Sequence, residues 1–231
     1  MKLFPIIVPL AGPDFVRDDG TVKGEILVDG QPLLLSTLQS RPWYKDGDGS
    51  RYIFVFMDSN VTRSFARVHL SSWFPNCQTI FLSGQTRGAA LSTLAALSLV
   101  RDFNLPIIVD LADIYYEYNC ENLNFEPTDL GAIALTFKSK NPQYSYLAFN
   151  SAGNFLKAKE KDVVSDNASA GTYIFRNFSI LVQSIGLAIE DEENQTFNDL
   201  FYVCPLYNQV KLLGFDVISD PVKNVKDIKI V

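Results

Sequence analysis

Short blocks of consecutive apolar residues, separated by polar and glycine-bearing turns, set the rhythm of the first half of this chain. Ile6-Ile7-Val8-Pro9-Leu10 is the first block. Tyr52-Ile53-Phe54-Val55-Phe56, Gln78-Thr79-Ile80-Phe81-Leu82 and Leu105-Pro106-Ile107-Ile108-Val109 follow it. The run entered through Pro106 reads as a strand buried on both faces of a parallel sheet and Tyr52 to Phe56 as a buried strand, while Gln78 to Leu82, which starts on two polar residues, reads as a strand. Helical segments lie between them: Leu33 to Gln39, Ser64 to Phe74, and the alanine- and leucine-rich Ala89 to Arg101. Strand–helix–strand alternation up to residue 110 predicts an α/β chain with a doubly wound sheet.

Past residue 130 the rhythm changes. Gly131 to Phe137 is a further strand. Tyr144 to Phe149 and Gly153 to Lys159 form a hairpin about Asn150-Ser151-Ala152-Gly153. Ala170 to Phe175 is a strand and Phe178 to Leu187 a helix. Glu190 to Asn194 reads as an acidic, solvated loop. Leu200 to Leu213 is helical in its second half and stops at Gly214. The alternation over 215–231 predicts an edge strand. No repeat, low-complexity segment or linker divides the chain, so residues 1–231 are expected to form one domain.

Composition narrows the function. A formal charge of −6 argues against a nucleic-acid surface. Three scattered cysteines, no C-x-x-C pair and a single histidine leave no zinc ligand set. Reduced cysteines in a cytoplasmic protein are the simplest account. The proline-broken start at Met1 to Leu10 is too short for a signal peptide, and no run reaches the length of a membrane span. A hydrolase triad lacks its elbow, and His69 reads as a satisfied helix residue. No Walker A loop and no G-x-G-x-x-G fingerprint occurs. Asp46-Gly47-Asp48-Gly49 reads as a turn, because the calcium-loop ligand pattern is incomplete.

What remains is a set of polar residues at strand ends and loops. Ala11-Gly12 lets backbone approach a ligand closely. Arg17 and Lys23 lie in and just past that loop. Gln85 to Ala90, with Gly88, precedes a helix start. Asp110 and Asp113 end the Leu105-to-Ile114 strand, where α/β sheets bind ligands, and can hold a hard cation. Glu160-Lys161 follows a strand. Together these suit phosphoryl or nucleotidyl transfer, where positioning and charge neutralisation supply most of the catalysis.

In their order along the chain these residues resemble the sugar-phosphate nucleotidyltransferases, in the branch similar to glucose-1-phosphate thymidylyl- and cytidylyltransferases. Ile6 to Gly12 looks like that family's first strand and glycine turn. Lys23 to Leu33 looks like P-K-P-L-I-x-V-x-G-K-P-M. Gln85-Thr86-Arg87-Gly88-Ala89-Ala90 looks like Q-T-x-G-A-A, and Pro106 to Asp113 like P-L-L-I-x-N-G-D. Ser145-Tyr146, Gly153, Glu160-Lys161, Ser165 to Ala168, Gly171-Thr172-Tyr173 and Tyr202-Val203-x-Pro205-x-Tyr207-Asn208 continue the order to about residue 217.

The resemblance implies a three-layer αβα sandwich with a central mixed sheet, the Rossmann-like nucleotide-diphospho-sugar transferase fold. Residues up to about 113 would form a nucleotide-binding half, and residues from about 114 a sugar or acceptor half. It implies Ala11, Gly12, Gln85, Gly88 and Asp110 at the nucleotide, and Lys23 and Arg17 at the triphosphate. It places Asp113 on Mg²⁺, with Glu160, Lys161 and Gly171 at the sugar phosphate. The reaction would join an NTP to a sugar phosphate or similar phosphorylated metabolite and release pyrophosphate, in surface polysaccharide biosynthesis. Partners would be those two small molecules, with no nucleic acid or membrane; homo-oligomers are compatible with it. Two other readings stand beside it. One is a catalytically impaired binding relative; the other is a glycosyltransferase using Asp110-x-x-Asp113 as its metal motif.

The chain departs from the pattern in reading Ala112-Asp113 for the family's G-D and Gly24 for the proline after the lysine, and above all at one loop. Where the family has G-x-G-x-R, this sequence reads Gly12-Pro13-Asp14-Phe15-Val16-Arg17. Proline removes an N–H donor, the second glycine is gone, and Asp14 adds negative charge near the phosphates.

Overall fold

The computed structural model describes residues 4–120, 125 and 127–227. β1 (Ile6–Leu10) opens the chain. A hairpin of β2 (Leu27–Val28) and β3 (Gln31–Pro32) leads into α1 (Leu33–Gln39). Next comes β4 (Tyr52–Met57). A helical stretch follows, built from α2 (Asn60–Phe65), a π-helical turn at Ala66–Leu70 and α3 (Ser71–Trp73). Ser59 starts it with a capping box to Thr62, which satisfies two end donors. β5 (Gln78–Leu82), α4 (Ala89–Leu97) and β6 (Ile107–Asp110) complete the alternation.

β1 lies between β4 and β6, parallel to both, and β4 carries β5 in parallel on its far side. The central strands therefore meet packed layers on both faces, which is why their sequences have no polar alternation. Ile6 and Val8 join Phe54, Leu34, Leu38 and Phe65 in one core layer. Ile7 joins Ile53, Val55, Ala90, Ala96 and Leu97 in the other. One set packs under α1 and α2, the other under α4 and the later helices. The result is the expected three-layer sandwich.

The later half extends the same sheet. β7 (Ile114–Glu117), β8 (Leu130–Lys138), β9 (Tyr146–Phe149), β10 (Phe155–Lys159) and β11 (Asn167–Phe175) come first. α5 (Phe178–Glu190) and α6 (Glu192–Gln195) follow. Then come a hairpin of β12 (Thr196–Phe197) and β13 (Leu200–Phe201), and α7 (Leu206–Leu212). β14 (Asp216–Pro221) and β15 (Lys223–Asp227) end the described chain. β11 runs antiparallel to β6 and joins the two halves in one nine-stranded mixed sheet. Midway, at Gly171 (φ 74°), β11 shifts register. Its first part pairs with β9 and its last part with β6, while β8 follows its other edge.

The β9–β10 hairpin, the 206–212 helix before Gly214 and the edge strand β14 match the sequence expectations. Two segments do not. Glu190 to Asn194 is not a loop: α5 runs to Glu190, and the Asp191 carboxylate accepts from Asn194 and Gln195 (2.6 and 2.8 Å) to hold α6. Ile114 to Glu117 forms a strand that pairs with β15, a partner more than a hundred residues away that no local pattern announces. Among the described residues no helix is long and apolar enough to cross a membrane.

Candidate active site

Two adjoining cavities open beyond the carboxyl ends of β1 and β6, where open α/β sheets place their ligands. The first, about 260 Å³, is lined by Ala11, Gly12, Gln85, Thr86 and Gly88, with Leu10, Phe15, Leu34 and Leu200 as apolar walls. The second, about 340 Å³, is lined by Ser145, Glu160, Lys161, Ser169, Gly171 and Tyr173. Asp14, Lys23, Ala89, Leu111, Asp113 and Tyr202 belong to both and form the shared wall. The cleft thus gathers nine of the residues singled out in sequence: Ala11, Gly12, Lys23, Gln85, Gly88, Asp113, Glu160, Lys161 and Gly171.

The loop after β1 is held from within. Phe15 packs on Phe56 and Phe65 with ring centroids 5.4 and 5.6 Å apart. Val16 bridges Val22, and the Lys23 N–H donates to the Phe15 carbonyl (2.8 Å). This fold-back sets Asp14 opposite Lys23, with Nζ 2.8 Å from Oδ2. Arg17 instead lies at the exposed far turn, where its N–H donates to Thr21, and it lines neither cavity. The structure therefore does not bring Arg17 to the cleft, because the short loop turns back at Asp18-Asp19-Gly20 before it could reach.

The two carboxylates at the end of β6 part company. Asp110 and Arg41 are both fully buried, joined by two bonds of 2.7 and 3.2 Å. The remaining polar capacity is also used: Ala112 N–H donates to Asp110, and Arg41 donates to the Ile114 carbonyl and lies 3.8 Å over the Tyr116 ring. Burial is the largest single influence and lowers the Arg41 pKa, but the charge and hydrogen bond of Asp110, with Tyr116 and Asp113, together outweigh it and the net shift is upward. Asp110 lines neither cavity, so its placement at the nucleotide is corrected to a place inside the fold. Asp113 points the other way. The Ala112 backbone adopts φ 53°, the left-handed region that lets the chain reverse facing between the two. Gly171 then makes room: a Cβ there would stand 2.7 Å from Asp113 Oδ1.

Gly88 opens α4 at φ 103°, and a Cβ on it would meet the Phe201 carbonyl at 2.4 Å. Gly88→Ala is expected to lower stability by roughly 1–3 kcal/mol, read as a fall in Tm. Gly84→Ala, with open space around it, serves as the control and should leave Tm nearly unchanged.

In the second cavity the Glu160 carboxylate accepts from the Ser145 hydroxyl. Behind this cavity, burial, with Glu160 adding to it, pushes the Cys204 thiol well above its usual range, so Cys204 stays a neutral core residue. Lys161 has φ 50°, and its ammonium lies 5.6 and 5.9 Å over the Phe197 and Tyr202 rings. Leu200 and Tyr202 reach the cleft from the β12–β13 hairpin and the residue after it, contributions that strand patterning did not indicate. Tyr202-Val203 stood in the resemblance as a motif without a role. His69 lies on the outer helix, 2.8 Å from Glu25 and with its ring tilted against those of Phe65 and Trp73, away from both cavities. Asp48 accepts from the Ser50 N–H at 3.0 Å, so the acidic 46–49 loop is a turn.

No family model matches the chain, and no curated protein matches it in sequence. Solved structures do match it over nearly its whole length. A nucleoside-diphosphate-sugar pyrophosphorylase from Vibrio cholerae RC9 superposes with a TM-score of 0.78 at 18% identity, over 97% of this chain and 95% of the other. An inositol-1-phosphate CTP transferase from T. maritima gives 0.67 at 11% identity, over 96% and 86%. HddC from Yersinia pseudotuberculosis, complexed with GMP-PN, gives 0.62 at 15% identity, over 97% and 93%. At these identities the likeness shows a shared fold.

Proposed function

We propose that the chain is a nucleotidyltransferase that joins an NTP to a sugar phosphate or similar phosphorylated metabolite. The observation that carries this reading is the shared wall. Lys23, paired with Asp14, and Asp113 border both cavities, so groups bound on either side meet at one cation and two carboxylates. The first cavity, apolar with Gln85 and the Gly88 helix start, suits a base and its phosphates. The second, with Lys161, Glu160 and Ser145, suits a phosphorylated polyol. The solved structures of this fold named as an inositol-1-phosphate CTP transferase and a nucleoside-diphosphate-sugar pyrophosphorylase support the same reading.

The bond changes follow from those positions. An acceptor phosphate oxygen bonds to the α-phosphorus of the NTP. The bond from that phosphorus to the bridging oxygen breaks, and pyrophosphate leaves with the electron pair. The nucleophile is already an anion, so no residue need act as a general base. Lys23 balances charge where donor and acceptor meet, and Lys161 holds the acceptor phosphate. Asp113, a hard carboxylate oxygen facing both substrates, fits a magnesium ion that arrives with the triphosphate. Such an ion keeps waters and phosphate oxygens and needs only one or two protein carboxylates. When bound, the ion would neutralise charge on the phosphates. The division into a donor half to about residue 113 and an acceptor half beyond it belongs to this reading, with Leu200 and Tyr202 crossing over. A place in surface polysaccharide assembly is the pathway expectation that goes with it.

The test is pyrophosphate release on incubation with Mg²⁺, each NTP in turn and a panel of sugar 1-phosphates. Turnover with one pair is expected; no release with any pair, while a known enzyme of this fold turns over alongside, overturns the reading.

One observation favours a second reading, a binding protein of low turnover. Asp14 occupies Lys23, the cation nearest the shared wall. A pair this exposed contributes only about 0–1 kcal/mol, so a polyanion can displace it. Asp14→Gly is expected to tighten NTP binding several-fold in calorimetric titration, and the gain should shrink as salt is raised. The glycosyltransferase reading loses its support, because Asp110 is spent on Arg41 and only Asp113 remains at the cleft.

A further inference from the structure

The third residue of Gln85-Thr86-Arg87-Gly88 plays no part in lining the cleft, yet it makes more connections than its neighbours. Arg87 Nη2 lies 2.6 Å from Glu192 Oε1, and Nε donates to the Asp199 carbonyl at 3.1 Å. The Arg87 carbonyl accepts the Phe201 N–H at 2.8 Å, and the guanidinium lies 5.3 Å over the Phe201 ring. Every one of these partners belongs to the segment from α6 through the β12–β13 hairpin. That hairpin is tight: Asn198 and Asp199 both have positive φ (50° and 58°), which makes a two-residue connection of the type that matches strand twist.

The clasped segment touches both halves of the cleft. Leu200 forms a wall of the first cavity, and Tyr202 belongs to both. On the second side Phe197 and Tyr202 carry the Lys161 ammonium over their rings. Lys161 is held at a left-handed φ, which lysine adopts only where surroundings enforce it. So one chain of contacts runs from the Gln85–Gly88 loop, through Arg87, to the hairpin and on to Lys161. Gly88 permits it, since any side chain there would collide with the Phe201 backbone.

We propose that Arg87 is a positioning residue that keys the β12–β13 hairpin onto the donor-side loop, so that nucleotide bound in the first cavity orders the acceptor side and the two substrates bind with positive coupling. This rests on the reading under Proposed function. A nucleotide that settles the 85–88 loop would fix the carbonyl and guanidinium that hold the hairpin, and with them Phe197 and Tyr202 beneath Lys161. Coupling of this kind is reciprocal, so the acceptor tightens nucleotide by the same factor.

The experiment is hydrogen exchange on the wild-type chain, Arg87→Ala and Arg87→Lys, each alone and with ATP, CTP, GTP, UTP or dTTP added in turn. Without ligand, Arg87→Ala is expected to speed exchange over 196–202 about tenfold or more, while Arg87→Lys recovers part of the protection through Glu192. With the nucleotide that binds, the wild type should gain protection at both 85–88 and 196–202. Arg87→Ala should gain it at 85–88 only. Its KM for the phosphorylated acceptor should rise about tenfold, within the usual range of coupling. A merely structural role would lower Tm and leave the ligand-induced protection of 196–202 intact. Protection of 85–88 without 196–202 in the wild type overturns the coupling and leaves the nucleotidyltransferase reading standing. No protection of 85–88 by any nucleotide overturns both. Glu192→Gln, which keeps Arg87 and removes only the partner charge, guards against a variant that fails to fold and should show a smaller form of the same exchange change.

Discussion

Asp110→Asn will unfold the protein well before the wild type, although Asp110 stands three residues from Asp113. The substitution leaves the Arg41 guanidinium fully buried without its counter-charge. Removing one partner of such a pair costs about 3–5 kcal/mol. For a domain of this size about 2–4 °C of Tm accompany each kcal/mol, so a fall of roughly 6–20 °C is expected in a thermal scan. Arg41→Met combined with Asp110→Leu removes both charges together. Because no lone charge is then buried, the double variant should recover much of the loss. The Ala112 N–H and the Ile114 carbonyl lose their partners in it, so recovery falls short of complete. A fall of less than about 2 °C for Asp110→Asn would show that the pair does not hold β6 against α1's far end.

Asp113→Asn should do the reverse: a small change in Tm and a large change in turnover. Asp113 is only partly buried, and its side chain borders both cavities. The amide is nearly the same size, so the pocket that Gly171 leaves for it stays filled. What disappears is the negative charge facing donor and acceptor phosphates. If that carboxylate holds a magnesium ion with the NTP, the loss should be on the order of 10²-fold or more in kcat. The check is pyrophosphate release alongside a Tm measurement. An unchanged kcat would remove Asp113 from the chemistry, and a large fall in Tm would mark it as a strand-end structural residue like its neighbour.

The contrast between these two aspartates shows how far the sequence could be read. That a strand ended in carboxylates at the ligand end of a sheet was legible from Pro106 to Asp113. Which carboxylate faced the cleft was not. The difference is made by the φ of Ala112, by Arg41 sixty-nine residues earlier and by Gly171 fifty-eight residues later. The same holds at the phosphate loop. Sequence showed that Asp14 replaced a glycine, but not that Phe15 would anchor in the core and turn Asp14 onto Lys23. Arg17 matched a motif by order alone, and a loop that closes by Val16 and Val22 leaves it outside.

The strands β1, β4 and β6 and the helices between them were determined by the chain itself, because burial on both faces demands uninterrupted apolar runs and packing demands helices alongside; β5, a partly buried edge strand, was legible from its place in that alternation. The glycines Gly12 and Gly88 of the two donor-side loops were legible for a related reason: close backbone approach to a ligand or to another segment requires glycine. Tertiary structure alone decided the rest. The Arg41–Asp110 pair, the β7–β15 ribbon and the hairpin that carries Leu200 and Tyr202 into the cleft all join residues far apart in the chain. Local propensity carries no information about such pairings. They are selected only when the whole sheet is assembled and each buried charge or strand edge must find its partner.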